Sequence, residues 1–380
     1  MALPGREKMN SILSKLNSSF TVPGFLEKSY FPSLDGWRAV AIIMVILGHA
    51  KSTVLNSTAY YRFFERFVYA ELGVRIFFIL SGFLITSLLL KEFVQNGKIV
   101  ISNFFIKRAL RIFPVLYLYI ITICIVNSYF GLGISNSFFW GMLCYFTNFI
   151  MYNNPWLSSH TWSLSVEEQF YLIWPIIIYA IKKKAWLFSL SLIVLTQLLR
   201  VLWYKAGFYQ ETLGPFLNGA DAIFLGSLLS IVSFKRFINP LAKYWSNQYF
   251  HFLAIFLVFF IYYSLHRGMF GKFLLPFGYI LSDLAIGYLL LATIINAKGL
   301  IYNTLNNAVM VKLGVISYSL YIWQQLFIVP LNYNPEILPR AQFPFNILIS
   351  IFVAFLSYYC FEKHFLNLKK RLTNRSKCQK

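Results

Sequence analysis

Only 12% of the 380 residues carry a charge, where an ordinary soluble domain has about 25%, so the chain lacks the polar surface that water would require. Acidic side chains are scarcest, with 13 Asp and Glu against 34 Lys and Arg, a net charge of +21. Cysteine is sparse as well. Cys124, Cys144, Cys360 and Cys378 are scattered without metal-ligand spacing, and they predict neither disulfides nor zinc nor any other metal site. Internal repeats and long soluble insertions are absent. Residues 1–34 hold no apolar core of the roughly 7–15 residues a signal peptide needs. Together these absences exclude disordered, fibrous and secreted disulfide-rich classes.

Apolar side chains are what the chain has in abundance: 58% of residues are hydrophobic and 19% aromatic, and the mean hydropathy is +0.62. Lipid must therefore take the outward faces, which predicts an all-α, polytopic transmembrane helix bundle. In a soluble protein an excess of +21 would suggest nucleic acid. In a membrane protein it reports cytoplasmic loops and anionic headgroups, so membrane lipids and no nucleic acid are the expected partners.

Apolar stretches near the roughly 20 residues needed to cross a bilayer begin near Trp37, Leu72, Ile112, Trp162, Ala185, Ala220, Phe250, Phe273, Leu313 and Pro344. An eleventh, Ser137 to Tyr152, is short and interrupted by Gly141, Thr147 and Asn148. If it does not cross, 24 basic residues fall inside against 8 outside; if it does, the majority falls outside. The positive-inside rule thus predicts about ten spans with both termini cytoplasmic, and residues 137–152 re-entrant or surface-lying. The expected organisation is a cytoplasmic segment 1–33, a transmembrane domain 34–362 and a basic cytoplasmic tail 363–380.

With no soluble domain, chemistry falls to polar residues in or beside the spans, where ionisable groups are costly and functional by default. Arg38 and His49 are eleven positions apart on the first helix, so they share one face about 16 Å apart along the axis. Asp35 falls on nearly the same face. This stripe suits a pocket running through the protein, or else an interfacial arginine and a core histidine. Arg108 and Arg111, an i, i+3 pair, can grip a phosphate or simply anchor the inner face. The run His160 to Tyr171 contains Glu167 and Glu168, and with Asn148, Asn153, Asn154, Ser158 and Ser159 before it reads as an outer vestibule or a helix cap. The two carboxylates point about 100° apart, so one can face the bundle and the other water. Arg75, Asp221 and Asp283 are candidate structural ion-pair partners that the sequence cannot pair.

Five segments, in order along nearly the whole chain, carry a resemblance. They are Leu34-Asp35-Gly36-Trp37-Arg38 with His49 after a ten-residue gap, Phe77 to Thr86, the Arg108 and Arg111 pair before Ile112-Phe113-Pro114, Trp162 to Tyr171, and Ile316 to Trp323. In this pattern the chain resembles the acyltransferase-3 family of integral membrane acyltransferases. That resemblance implies an enzyme, an O-acyltransferase that moves an acyl group, most simply acetyl, from acyl-CoA as donor substrate to a hydroxyl of a surface polysaccharide such as O-antigen, or its lipid-linked precursor. No bound cofactor is implied, and the location is the inner (plasma) membrane. Carried over by position, Arg38, Arg108 and Arg111 would hold the donor. The family's histidine falls on His49 and its glutamate on Glu167; for the transfer itself His49 is expected as general base, Asp35 to orient a neighbouring group, Glu167 to bind sugar hydroxyls or a protonated His49, and Trp162, Ser163, Glu168 and Tyr171 to bind substrate.

The departures are Gln324 where relatives often carry histidine, His364 in Glu362-Lys363-His364-Phe365 where proline is usual, and Arg75 where many relatives are polar or acidic. A merely structural Gln324 implies a mild effect of its loss. Some relatives carry a fused extracytoplasmic hydrolase-like domain, and none is expected here. The competing reading is a transporter or flippase of a glycolipid or acyl group, which also places Arg, His and Glu in spans; a non-catalytic subunit that kept the fold is a third.

Overall fold

The computed structural model describes residues 20–28, 30–150, 155–206, 219–235, 237, 242–333 and 341–378. The basic residues Arg6, Lys8, Lys15, Arg236, Arg340 and Lys380, and Asn153 and Asn154 of the expected vestibule, lie outside them. Among the described residues every regular element is helical. The main helices are α1 (Pro32–Ala50), α2 (Ala59–Phe67), α3 (Ala70–Asn96), α4 (Ile101–Phe130), α5 (Asn136–Leu143), α6 (Thr161–Ile181) and α7 (Ala185–Lys205). They continue with α8 (Ala220–Phe234), α9 (Gln248–His266), α10 (Gly271–Ile295), α11 (Ala308–Phe327), α12 (Phe345–Ser357) and α13 (Lys363–Cys378).

Each apolar stretch foreseen in the sequence coincides with a helix. By length and composition seven helical stretches among the described residues are able to cross a membrane. One of these, Trp156–Trp203, contains both α6 and α7 with the Lys182–Lys184 turn between them, whereas α8 is only 15 residues long. Large apolar side chains remain exposed along the outward faces of α7, α9 and α12, among them Leu198, Leu202, Phe256, Phe260, Leu348 and Phe352. Only lipid satisfies such a belt. Of the segment 137–152, residues 151 and 152 lie outside the described residues; the rest holds most of the eight-residue α5 and a single turn Thr147–Phe149, neither long enough to cross. Thr147 and Asn148 are completely buried, so protein covers its irregular backbone.

Helices in lipid gain little from hydrophobic exclusion and rely on close backbone approach and polar contacts. The tightest approach is between α3 and α8. A side chain at Gly82 would run into the Ile223 carbonyl, and one at Gly226 into the Ile79 carbonyl, so each glycine accepts the other helix's backbone. The same junction is locked by charge. Arg75 of α3 donates through Nε to Asp283 of α10 at 2.9 Å, through Nη2 to the same carboxylate, and through Nη2 to Asp221 of α8 at 2.8 Å. Arg200 and Gln197 of α7 complete the coordination of Asp221 at 3.0 and 2.9 Å, and Tyr279 lies under both guanidinium groups. The structure thereby pairs the three residues left unpaired in the sequence.

At the C-terminal side α12 passes through a π-helical turn, Tyr358–Glu362, into α13. The wider turn swings Glu362 inward, where its carboxylate accepts a 2.6 Å hydrogen bond from Ser319 of α11.

Gly226→Val places a branched side chain against a carbonyl that cannot move away. We expect a loss of about 1–3 kcal/mol or more, read as a collapse of the monodisperse peak in fluorescence-detected size-exclusion chromatography. Gly226→Ala falls between it and the wild type.

Candidate active site

Five helices converge on one cleft of about 100 Å³, with room for several waters or a short acyl chain. Arg38 comes from α1, Phe77, Phe78 and Ser81 from α3, Arg108 and Arg111 from α4, Ser163, Glu167 and Tyr171 from α6, and Ser317, Tyr318 and Tyr321 from α11. Glu167 is its hub. Its carboxylate accepts from the hydroxyls of Ser81 and Tyr171, and Arg108 Nη2 lies 3.7 Å away. The Arg108 guanidinium is stacked 3.6 Å above the Tyr171 ring, and its Nε faces Glu168 at 3.7 Å. Arg38 is held by Asp35 at 2.5 Å, and Tyr30 donates to the other carboxylate oxygen at 2.8 Å. Arg111 makes no ion pair or hydrogen bond among the described residues, although Arg38, Arg108 and the carboxylate of Glu362 are within electrostatic reach of it. Three guanidinium groups so close, one without a direct ion pair, give the cleft the donors that an anion would need.

A second polar layer lies farther along α1 and α11. His49 Nδ1 sits 2.9 Å from Gln324 Oε1, and Trp156 meets the imidazole edge-on at 5.3 Å between centroids. Eleven residues of helix put His49 about 16 Å above Arg38, and His49 does not line the cleft. The site is therefore two-tiered, where one continuous pocket was the expectation. Between the tiers, Ser163 and Tyr321 hydroxyls lie 2.5 Å apart, and Tyr321 donates to the His160 carbonyl at 2.9 Å.

The sequence put Glu167 in the vestibule at the start of α6, and the structure sets it beside Arg108, in the tier without His49. Tyr119 of α4 donates to the Leu157 carbonyl at 2.6 Å and packs against His160. The chain after α4 has thus folded back into the bundle before α6 begins. Starting level with Tyr119, α6 carries Glu167 down to Arg108, eleven residues earlier in α4. Glu168 does not turn to water either, because the long Arg108 side chain lies between the two acids. Asp35 braces Arg38 and does not line the cleft. Trp162 packs its ring against Phe78 instead of the cleft, whereas Ser163 and Tyr171 are in its wall.

The sequence reading passed over Ser81, Tyr321 and the two buried glutamines, Gln324 and Gln325, as working parts. The available signal was the Gln-Gln pair inside an otherwise apolar turn of α11. His160 was read only as part of the vestibule.

A family model described as an acyltransferase domain matches residues 31–360. Among curated proteins, the chain is 27% identical over 323 residues to the peptidoglycan O-acetyltransferase OatA of Listeria monocytogenes, covering 78% of this chain and 49% of that protein. It is 27% identical over 367 residues to a putative O-acetyltransferase of Staphylococcus aureus, covering 88% and 57%. It is 27% identical over 361 residues to the putative peptidoglycan O-acetyltransferase YrhL of Bacillus subtilis, covering 88% and 54%. The chain spans about half the length of these relatives. No solved structure matches it.

Gln324 fixes which nitrogen of His49 carries the proton, so its loss should not be mild. Gln324→Ala is expected to lower the turnover rate at least about 10-fold at unchanged protein abundance. Turnover within twofold of wild type would reduce Gln324 to packing.

Proposed function

The chain belongs to the acyltransferase-3 family and carries its acyltransferase domain over residues 31–360, and from that premise we propose that it moves an acetyl group from acetyl-CoA to a hydroxyl of a cell-surface glycan. The observation that carries this reading is the convergence of Arg38, Arg108 and Arg111 with Glu167 in one cleft, beneath a histidine held by a carboxamide. Positive-inside counting supports ten crossings, with segment 1–33 and tail 363–380 on the cytoplasmic side of the plasma membrane. The arginine tier then opens to the cytoplasm, where the donor is.

In this reading Arg111, the guanidinium without a direct ion pair, takes the donor's phosphates together with Arg108 and Arg38. Planar, forked donors suit phosphate oxygens in a way that lysine does not. The pantetheine arm extends up the bundle, past the hydroxyls of Ser163 and Tyr321, toward His49. With Gln324 Oε1 as the acceptor of Nδ1–H, the His49 lone pair sits at Nε2. That nitrogen removes the proton of the acceptor hydroxyl. The oxygen bonds to the acyl carbon, the carbon–sulfur bond breaks, and the proton passes from imidazole to the thiolate. Glu167 keeps Arg108 in place over Tyr171, and Asp35 does the same for Arg38. Ser163 and Tyr171 line the donor's path, while Trp162 and Glu168 support it from behind.

For the acceptor we propose a surface polysaccharide of the O-antigen kind or its lipid-linked precursor. The names of the relatives favour a second acceptor, peptidoglycan. The acetylated sugar decides between them.

The test is the acetyl content of de-lipidated surface polysaccharide and of purified peptidoglycan, by proton NMR, in cells with the wild-type chain, His49→Ala or no copy. Acetyl signals in one of the two glycans with the wild type alone are expected. Full acetylation with His49→Ala overturns the base assignment, and no difference between wild type and deletion overturns the acceptor class. In membranes, Arg111→Ala should raise the KM for acetyl-CoA about 10-fold or more, and Arg111→Lys should recover only part of that.

A further inference from the structure

Adjacent glutamines of α11 each hold an imidazole. Gln324 holds His49, and Gln325 holds His160, which is 2% exposed. Gln325 Oε1 accepts the backbone N–H of His160 at 3.2 Å, so this atom is an acceptor. The same oxygen lies 2.6 Å from His160 Nδ1, which must then carry the ring proton. The lone pair is left at Nε2. That nitrogen is buried and makes no direct hydrogen bond among the described residues, although the Ile322 carbonyl lies within reach of the ring, and Gln324 Nε2 and Trp323 Nε1 likewise make none. Leaving a buried polar atom unsatisfied costs about 1–3 kcal/mol. A histidine kept only for packing would need no more than its Nδ1 contact, which asparagine supplies. One lone pair and two donors in one tier are thus left without a direct hydrogen bond.

Resting on the acyl-transfer reading above, we propose that His160 is a second proton acceptor of the transfer site and shares with His49 the single proton that leaves the acceptor hydroxyl. The two imidazoles are within electrostatic reach of each other, and Trp156 ties them together. Its ring meets His49, and its Nε1 donates to the Gln325 carbonyl at 3.1 Å. A proton on one imidazole repels a proton on the other, so the pair takes up one and no more. The acceptor oxygen bonds to the acyl carbon as its proton moves to the pair. The carbon–sulfur bond breaks, and the proton is returned to the thiolate. His160 is also joined to the cleft below, since its carbonyl accepts from Tyr321 at 2.9 Å and Ser163 at 3.2 Å.

His160→Asn separates the ring's two nitrogens, because the asparagine amide donates to Gln325 as Nδ1 does but offers no lone pair in place of Nε2. Full-length protein in lipid nanodiscs, given acetyl-CoA and isolated lipid-linked glycan, is followed by thiol release. His160→Asn is expected to keep wild-type abundance and KM for acetyl-CoA but lose at least about 10²-fold in kcat. A kcat within threefold of wild type overturns the proposal. Should His160→Asn not accumulate, Gln325→Glu decides. A carboxylate on Nδ1–H favours the protonated ring, so the acid limb of the rate profile should move to higher pH, and an unmoved limb overturns the proposal. The titratable groups facing this ring are His49, Tyr119 and Tyr321. A silent wild-type protein counts against the acyl-transfer reading itself, whereas an active wild type with an active His160→Asn counts against the second imidazole alone.

Discussion

A charged side chain in the middle of a bilayer costs several kcal/mol unless partners replace its water, and this constraint organises the bundle. Arg75 is 2% exposed and Asp221 and Asp283 are fully buried, yet the three form one cluster with Arg200, drawn from α3, α7, α8 and α10. Removing any single member would strand the others, which makes the cluster worth more as a lock than as a source of net stability. α3 is the helix it locks. The same helix brings Phe77, Phe78 and Ser81 to the cleft, within a few turns of Arg75, so the geometry of one wall of the site is inherited from ion pairing on the helix's other face.

The cleft meets the constraint differently. Arg38 and Arg108 are answered by Asp35, Glu167 and Glu168, but Arg111 has no direct ion pair among the described residues and is reached by Glu362 only through space. A cation near the inner end of a span can remain unpaired only if water or an anionic ligand reaches it. The lower tier holds the guanidinium groups and carboxylates, while the upper tier holds imidazoles, carboxamides and hydroxyls. Charge decreases from the mouth inward, as a site must arrange it if an anionic donor is to be held by one end and its uncharged thioester delivered at the other.

Much of this was legible in the sequence wherever the relation was local. Arg38 and His49 lie on one continuous helix, so their spacing alone gave the stripe and its length. The i, i+3 spacing of Arg108 and Arg111 placed both in the cleft for the same reason. The contact between Glu167 and Arg108 was not legible, because it depends on the described residues 131–150 and 155–160 folding back into the bundle, and no local pattern reports how deep a helix begins. Counting residues along the span put Glu167 in the vestibule, apart from the arginine it meets. The partners of Arg75 lie 146 and 208 positions away, a distance over which a single sequence carries no pairing signal. Gln324 was read through its departure from a family pattern, and that hid what its carboxamide does.

The two glutamines show why carboxamides stand where soluble enzymes often use carboxylates. An imidazole that is to act as a base needs one nitrogen protonated and fixed so that the other presents its lone pair. A carboxylate would fix it as well, but would add a buried negative charge and call for another cation in the apolar tier. A carboxamide oxygen accepts the same hydrogen bond without charge. Gln324 and Gln325 point about 100° apart on α11, so a single helix turn orients one ring from α1 and another from the start of α6. The fold-back of the described residues 131–150 and 155–160 is what brings the second ring to that turn, and burial of Ser158, His160 and Thr161 follows from it. The irregular segment between α4 and α6 is thus better understood as the element that completes the upper tier than as a loop joining two spans.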